Sequence, residues 1–218
     1  MIKRDDGREL EQRIAERTAA LVLANEKLRE EAAEREALLT RLREQEEHMR
    51  YIAQHDALTG LPNRYSMQER LALALEMAKR NRKKVAVMLV DLDDFKLVND
   101  MRGHAAGDQV LIVVGHRLRS CVRGSDTVAR IGGDEFVVIA GELDRADGAA
   151  MIAEKIADAV QVPIAVEGGG PWKVTCSIGI SVSPEDAQSY VELLAQADRA
   201  MYRVKGEKKK RFAYFAKA

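Results

Sequence analysis

No proline or glycine interrupts residues 8 to 54, a stretch dominated by Glu, Arg, Ala, Leu and Gln. With no helix breaker and mostly strong helix formers, one continuous helix is the regular structure open to it. The helix carries an apolar heptad series. Ile14, Leu21, Leu28, Leu42 and Met49 recur at multiples of seven and suit the d positions of a coiled coil, with Thr18, Asn25, Ala32, Leu39 and Glu46 at a. Arg35 takes a d position and Glu46 an a position, so the seam weakens midway. Asn25 at a fits a parallel two-stranded coil, in which a buried polar pair sets register at some cost in stability. About forty such residues span roughly 60 Å. A single solvated helix laced by i,i+4 charge pairs is the plainer reading of the same pattern.

The rules change near residue 55, which divides the chain into a helical region, 1–54, and a second region, 55–218. In the second region the pattern predicts helices over Ser66–Arg80, Asp108–Ser120, Ala149–Val160 and Val191–Val204. Strands are predicted at Val85–Val90, Thr127–Ile131, Phe136–Ala140, Lys173–Val182 and Phe212–Phe215. The run Val85-Ala86-Val87-Met88-Leu89-Val90 is apolar throughout, as in a strand covered on both faces. A sheet with helices packed on it follows, and 46% apolar content is enough to bury a core.

Thirty-five basic and 35 acidic residues cancel, so no global field draws the chain to nucleic acid or to an anionic membrane. Any anion must be held locally. The opening residues lack the apolar segment of a signal peptide, and no apolar run is long enough to cross a bilayer. The expectation is a soluble cytoplasmic protein, free-standing or the cytoplasmic end of a longer sensor. Cys121 and Cys176 lack metal-ligand spacing and read as buried free thiols. His48, His55, His104 and His116 have no ligand spacing among themselves.

Two acidic sites stand out. Asp91-Leu92-Asp93-Asp94-Phe95-Lys96 follows the buried strand, and carboxylates held rigidly at a strand end can bind a hard cation. A turn that merely ends a strand also favours Asp. The second site, Gly132-Gly133-Asp134-Glu135-Phe136, lies between two apolar strands. Paired glycines there permit positive φ and close approach of a phosphate or base.

The segment Arg130-Ile131-Gly132-Gly133-Asp134-Glu135-Phe136 resembles the signature of the GGDEF family of diguanylate cyclases. Other family blocks appear in order: Asp56-Ala57-Leu58-Thr59-Gly60-Leu61-Pro62-Asn63-Arg64, Asp91 to Asp100, Gly103-His104-Ala105-Ala106-Gly107-Asp108, and Ala197-Asp198-Arg199-Ala200-Met201-Tyr202 with Lys205. The likeness covers about residues 56 to 210. It implies an α+β fold, a mostly antiparallel central sheet flanked by helices like the palm of nucleotidyl cyclases and polymerases, preceded here by the coiled-coil helix.

The resemblance also implies an activity: two GTP condensed to cyclic di-GMP with release of two pyrophosphates, in a bacterial cytoplasm, by a homodimer under an upstream sensor. Asp91 and Asp134 would ligate Mg²⁺, with the Leu92 carbonyl helping and Mn²⁺ able to substitute. Asp134 and Glu135 are the candidate catalytic acids. Asn99 and Asp108 would read guanine, since a carboxylate accepts from guanine N1 and N2 hydrogens that adenine lacks. Phe95, Gly132 and Gly133 would line the nucleotide, and Lys96 and Lys205 would meet its phosphates. Lys209 stands where the family usually has a phosphate-binding Arg, and loses the bidentate fork. Without the resemblance, Asp108 also reads as a helix N-cap after Gly107, and one residue could serve both needs.

Arg123-Gly124-Ser125-Asp126 resembles the family's RxxD product-inhibition site, where Arg123 would clamp the cyclic dinucleotide and Asp126 would take its guanine hydrogens. Three rival readings remain: a module that binds GTP or cyclic di-GMP without turnover, a cyclase that accepts ATP, and a coiled-coil adaptor. The adaptor leaves both acidic sites idle.

Overall fold

The computed structural model describes residues 5–166, 170–206 and 211–215, with side chains from residue 11 onward. The chain divides into two compact units, Met1–Tyr51 and Ile52–Ala218.

Helix α1 runs from Asp5 to Gln54 and makes up the described part of the first unit, its last three residues, 52–54, belonging to the second. Every described residue from 11 to 51 is exposed. The d-position residues Ile14, Leu21, Leu28, Leu42 and Met49 are 51% to 72% exposed, so the helix leaves its predicted seam open.

The second unit begins with α2 (Arg64–Asn81), β1 (Lys84–Asp93), α3 (Phe95–Arg102) and α4 (His104–Cys121). It continues through β2 (Thr127–Gly132), β3 (Glu135–Leu143), α5 (Gly148–Val160), β4 (Thr175–Ser183), α6 (Tyr190–Gly206) and β5 (Phe212–Tyr214). The five strands form one sheet in the order β2-β3-β1-β4-β5. All pairings are antiparallel except β4 with β5. This is the mostly antiparallel α+β sheet expected, with β1 at its centre.

Period-two alternation along β1 sends its side chains into two cores. Ala86, Met88, Val90 and Leu92 face a cluster that includes Val110, Val114 and Leu118 of α4 and Ala153, Ile156 and Val160 of α5. Val85, Val87 and Leu89 face a second cluster with Met67 and Leu71 of α2 and Leu193, Ala197 and Met201 of α6. Each fully buried Val, Leu, Met or Phe contributes about 1.5–3 kcal/mol. Helix α6 lies so close on β4 that a Cβ at Gly179 would stand 1.9 Å from the Ala197 carbonyl oxygen. Both cysteines are buried, and burial pushes the Cys176 thiol up to about 12.

Two elements differ from expectation. Helix α3 escaped the sequence pattern because it has eight residues and buries only Phe95 and Val98. Helix α4 starts at His104 rather than Asp108, since Gly103 (φ +81°) makes the break between the helices and Gly107 lies within the second. Asp108 is therefore in the interior of α4 and caps nothing. Gly107 tolerates that place for a packing reason: a Cβ there would lie 2.0 Å from Asn99 Oδ1.

Candidate active site

The acids cluster because the sheet ends where β1 turns polar. On the α2/α6 side of β1 the series Val85, Val87, Leu89 continues as Asp91 and Asp93. Across β4, Asp91 pairs with Ser177 and Asp93 with Thr175, and across β3, Asp91 pairs with Glu135. The same face that is apolar at one end of the sheet thus carries three acids and two hydroxyls at the other. Asp93 is held in place by Ser177 Oγ and Thr175 Oγ1, each donating to its carboxylate at 2.7 Å.

A pocket of about 660 Å³ opens there, lined by Asp91, Leu92, Asp93, Asp94, Phe95, Lys96, Asp134, Thr175, Ser177, Val204 and Lys205. Asp91 is only 6% exposed. Burial pushes its carboxyl above the usual range and repulsion from Asp134 adds to this, while Lys205 opposes both. Lys205 Nζ lies 2.8 Å from Asp91 Oδ1. Burial lowers the Lys205 pKa, but the hydrogen bond to Asp91 and the pull of Asp91, Asp134 and Asp93 outweigh it and leave the ammonium above its ordinary value.

The signature turn supplies the second acid. Gly132 has φ +145° and Gly133 φ +53°, conformations that side chains other than glycine's rarely adopt. The turn returns the chain so that the Leu92 N–H donates to the Asp134 carbonyl at 3.4 Å. Glu135 opens β3, and burial first, then Asp91 and Asp134, raises its pKa.

Of the residues singled out from sequence, Asp91, Leu92, Phe95, Lys96, Asp134 and Lys205 come together in one pocket. Gly132, Gly133 and Glu135 belong to the adjoining turn and strand end. Asn99 and Asp108 lie apart from the pocket lining, on α3 and α4, with Asn99 packed over Gly107 beside Asp108. Lys209 lies outside the described residues. Arg123 and Asp126 line a different cavity of about 330 Å³ with Lys155, Gly141 and Met151. Asp126 is buried, its Oδ2 accepting the Arg123 N–H at 2.9 Å and its Oδ1 the Gly141 N–H at 3.3 Å. Sequence reasoning names Asp93 within the acidic segment without a role of its own, and does not single out Thr175 or Ser177. The alternation Thr175, Ser177, Ser181, Ser183 along β4 was the available signal, since it puts hydroxyls on the same face as the acids of β1.

Among the described residues no group of three or more His, Cys, Asp or Glu side chains could by itself hold a metal ion. Two carboxylates in one open pocket suit Mg²⁺, which takes one or two protein carboxylates and completes its shell with water and substrate phosphates.

Comparison with known proteins decides the family. Residues 53–211 match the family model described as "Diguanylate cyclase, GGDEF domain". The chain belongs to the GGDEF family. The diguanylate cyclase TpbB of Pseudomonas aeruginosa is 42% identical over 169 residues, which are 78% of this chain and 39% of TpbB. The crystal structure of the TpbB GGDEF domain is 41% identical and superposes with a TM-score of 0.69, covering 73% of this chain and 99% of that one. The coiled coil and GGDEF domain of DgcB from Caulobacter crescentus, solved with c-di-GMP, is 28% identical with a TM-score of 0.75. It covers 87% of this chain and 99% of that one. The GGDEF chain described here therefore spans about two-fifths of TpbB's length. Among its described residues no helix is long and apolar enough to cross a membrane.

Proposed function

We propose that this GGDEF chain is a diguanylate cyclase that joins two GTP molecules into cyclic di-GMP and releases two pyrophosphates. The observation that carries this reading is the single pocket that gathers Asp91, Asp134, Lys96 and Lys205 at the end of a rigid sheet. Asp91 and Asp134 would hold Mg²⁺, or Mn²⁺ in its place, with the Leu92 carbonyl. A divalent cation held by these residues would supply Lewis-acid polarisation of the α-phosphate and would favour the ionised 3′-hydroxyl.

The chain's own groups do the rest. Lys96 and Lys205 neutralise the β- and γ-phosphates and orient the pyrophosphate leaving group in line with the attacking oxygen. Glu135 lies directly across the strand pair from Asp91, and its raised pKa suits it to accept the 3′-hydroxyl proton. Asp134 serves mainly the cation, because a carboxylate bound to a metal is a poor base. Asp108 and Asn99 recognise guanine. Guanine offers the exposed Asp108 carboxylate its N1 and N2 hydrogens, which adenine lacks at those positions, and that difference favours GTP over ATP.

One domain holds one GTP, so ring closure needs two domains face to face. We infer that α1 supplies this by forming a parallel homodimeric coil, which raises the effective concentration of the second active site. An upstream sensor would act through register or splay of that coil, where Asn25, Arg35 and Glu46 keep alternatives close in energy. Product feedback is assigned to the cavity at Arg123 and Asp126. Each Asp126 oxygen accepts one backbone N–H there, so each keeps a lone pair for guanine hydrogens.

The test is to incubate the purified chain with Mg²⁺ and GTP or ATP and to identify products by mass. Cyclic di-GMP from GTP alone is the expected result. Binding of cyclic di-GMP without turnover would replace this reading by that of a receptor, and a cyclic product from ATP would overturn the role of Asp108.

A further inference from the structure

Every nitrogen of the Arg130 guanidinium is engaged, and its partners lie on two different segments. NH1 donates to both carboxylate oxygens of Asp56, at 2.9 and 3.1 Å. Nε and NH2 donate to the Gly133 carbonyl at 3.0 and 2.8 Å. The ion pair is largely shielded, with the Arg130 side chain 12% exposed. Charge-assisted, shielded and bidentate hydrogen bonds are the strong ones, and they fix direction as well as distance.

The Gly133 carbonyl belongs to the peptide that leads into Asp134. The next carbonyl, that of Asp134 itself, accepts from Leu92 N–H. Both peptides flanking the pocket acid are thus pinned, one by the end of β1 and the other by Arg130. The two glycines of that turn impose no backbone preference of their own.

Asp56 is itself held. Its Oδ1 accepts Thr59 N–H at 2.9 Å and Thr59 Oγ1 at 2.7 Å, and its N–H donates to Leu61 O at 2.8 Å. The same segment grips the last turn of α1: Asn63 Nδ2 donates to Ala53 O at 2.8 Å, and Asn63 N–H to Gln54 O at 2.9 Å. A second thread joins this segment to β2, since Arg130 N–H donates to Pro62 O at 3.0 Å.

We propose that Arg130 is a positioning residue that ties the Asp134 turn to the segment following α1, so that the position of residues 53–63 sets the position of the pocket acid. A displacement at Ala53 and Gln54 reaches Asp134 through Asn63 and Asp56, then the guanidinium, then the Gly133 peptide. Each side chain in that path is held by at least two hydrogen bonds. The proposal rests on the reading of Asp134 as a cation ligand only for its effect on turnover; the coupling itself is a matter of backbone position.

Asp56→Asn, Arg130→Lys and the double variant test it in the full chain. Amide hydrogen exchange over residues 131–138 and turnover against Mg²⁺ concentration are the two readouts. Either single change should speed exchange at 132–136 at least about tenfold, lower turnover about tenfold and raise the half-saturating Mg²⁺ several-fold. The double variant should match the singles, because both break one linkage. Unchanged exchange at 132–136 in Asp56→Asn would overturn the proposal, as would effects that multiply in the double variant. Faster exchange spread evenly over β2 and β3 would also overturn it, in favour of a general brace. If Arg130→Lys does not fold, Asp56→Asn decides alone. If the wild-type chain makes no cyclic dinucleotide, the cyclase reading fails and the exchange comparison still decides the coupling.

Discussion

The two units of this chain dispose of the same kinds of residue in opposite ways. Along α1, Leu21 is 70% and Met49 72% exposed, whereas from Val85 to Val90 no residue exceeds 5%. A lone helix has no interior, so its apolar seam can be buried only by something outside the unit. A central strand with helices on both faces buries its side chains within its own domain. The compact unit is thus self-sufficient, while the helix is written for a partner, which we propose is a second copy. The units should therefore fail independently.

The largest effect is expected at the pocket. Asp134→Ala should cut GTP turnover on the order of a thousandfold, about 4 kcal/mol in activation free energy, and leave the mass in solution by light scattering unchanged. Next comes Gly179→Ala, which drives a Cβ into the Ala197 carbonyl and should destabilise the compact unit by about 3 kcal/mol or more. Chemical denaturation would show it, with the α1 helical signal surviving. If α1 melts as well, the independence of the two units is wrong.

Leu21→Glu together with Leu28→Glu should halve the mass in solution and lower turnover about ten- to a hundredfold at dilute concentration, while the melting of the compact unit stays put. Arg35→Leu with Glu46→Leu should act in the other direction. The coil transition should rise by about 1 kcal/mol for each position, and basal activity should shift as the seam loses its weak point.

The smallest effect concerns pH. At Asp56, burial raises the carboxyl pKa, but hydrogen bonds from Thr59 and Arg130 outweigh it and hold the group below its ordinary 3.8. A depressed carboxylate contributes stability above its unfolded pKa and loses it as pH falls through the folded one. Asp56→Asn should therefore lower the melting temperature at pH 7, and the gap from wild type should close below about pH 3.8. A gap that widened in acid would contradict the sign.

Most of the fold was legible in residue order, because the elements that carry it have strong periods. The heptads of α1 and the apolar run before Asp91 needed no tertiary information. Helix α3 did not announce itself: with two buried residues in eight, its helicity comes from packing Phe95 and Val98 onto the sheet rather than from a repeated face. The start of α4 was hidden for a related reason, since Gly103 and Gly107 read as breakers until Asn99 is seen to need the room beside Gly107. At the site, Asp91 and Asp134 stood out as acids beside apolar strands. Asp93, Thr175 and Ser177 did not, because their meaning depends on which strand pairs with which.

By itself the amino-acid order determined the long helix with its unpaired seam, the central strand, and the two acidic segments with the Gly-Gly turn between strands. These are local matters of period, propensity and backbone freedom, set over a few residues at a time. Only the tertiary structure decided that Asp91, Asp134 and Lys205 share one pocket, that α6 requires Gly179, and that Arg130, beside the turn, reaches Asp56 across 74 residues of sequence. Those are pairings between distant segments, and the antiparallel register of β1 between β3 and β4 brings them together.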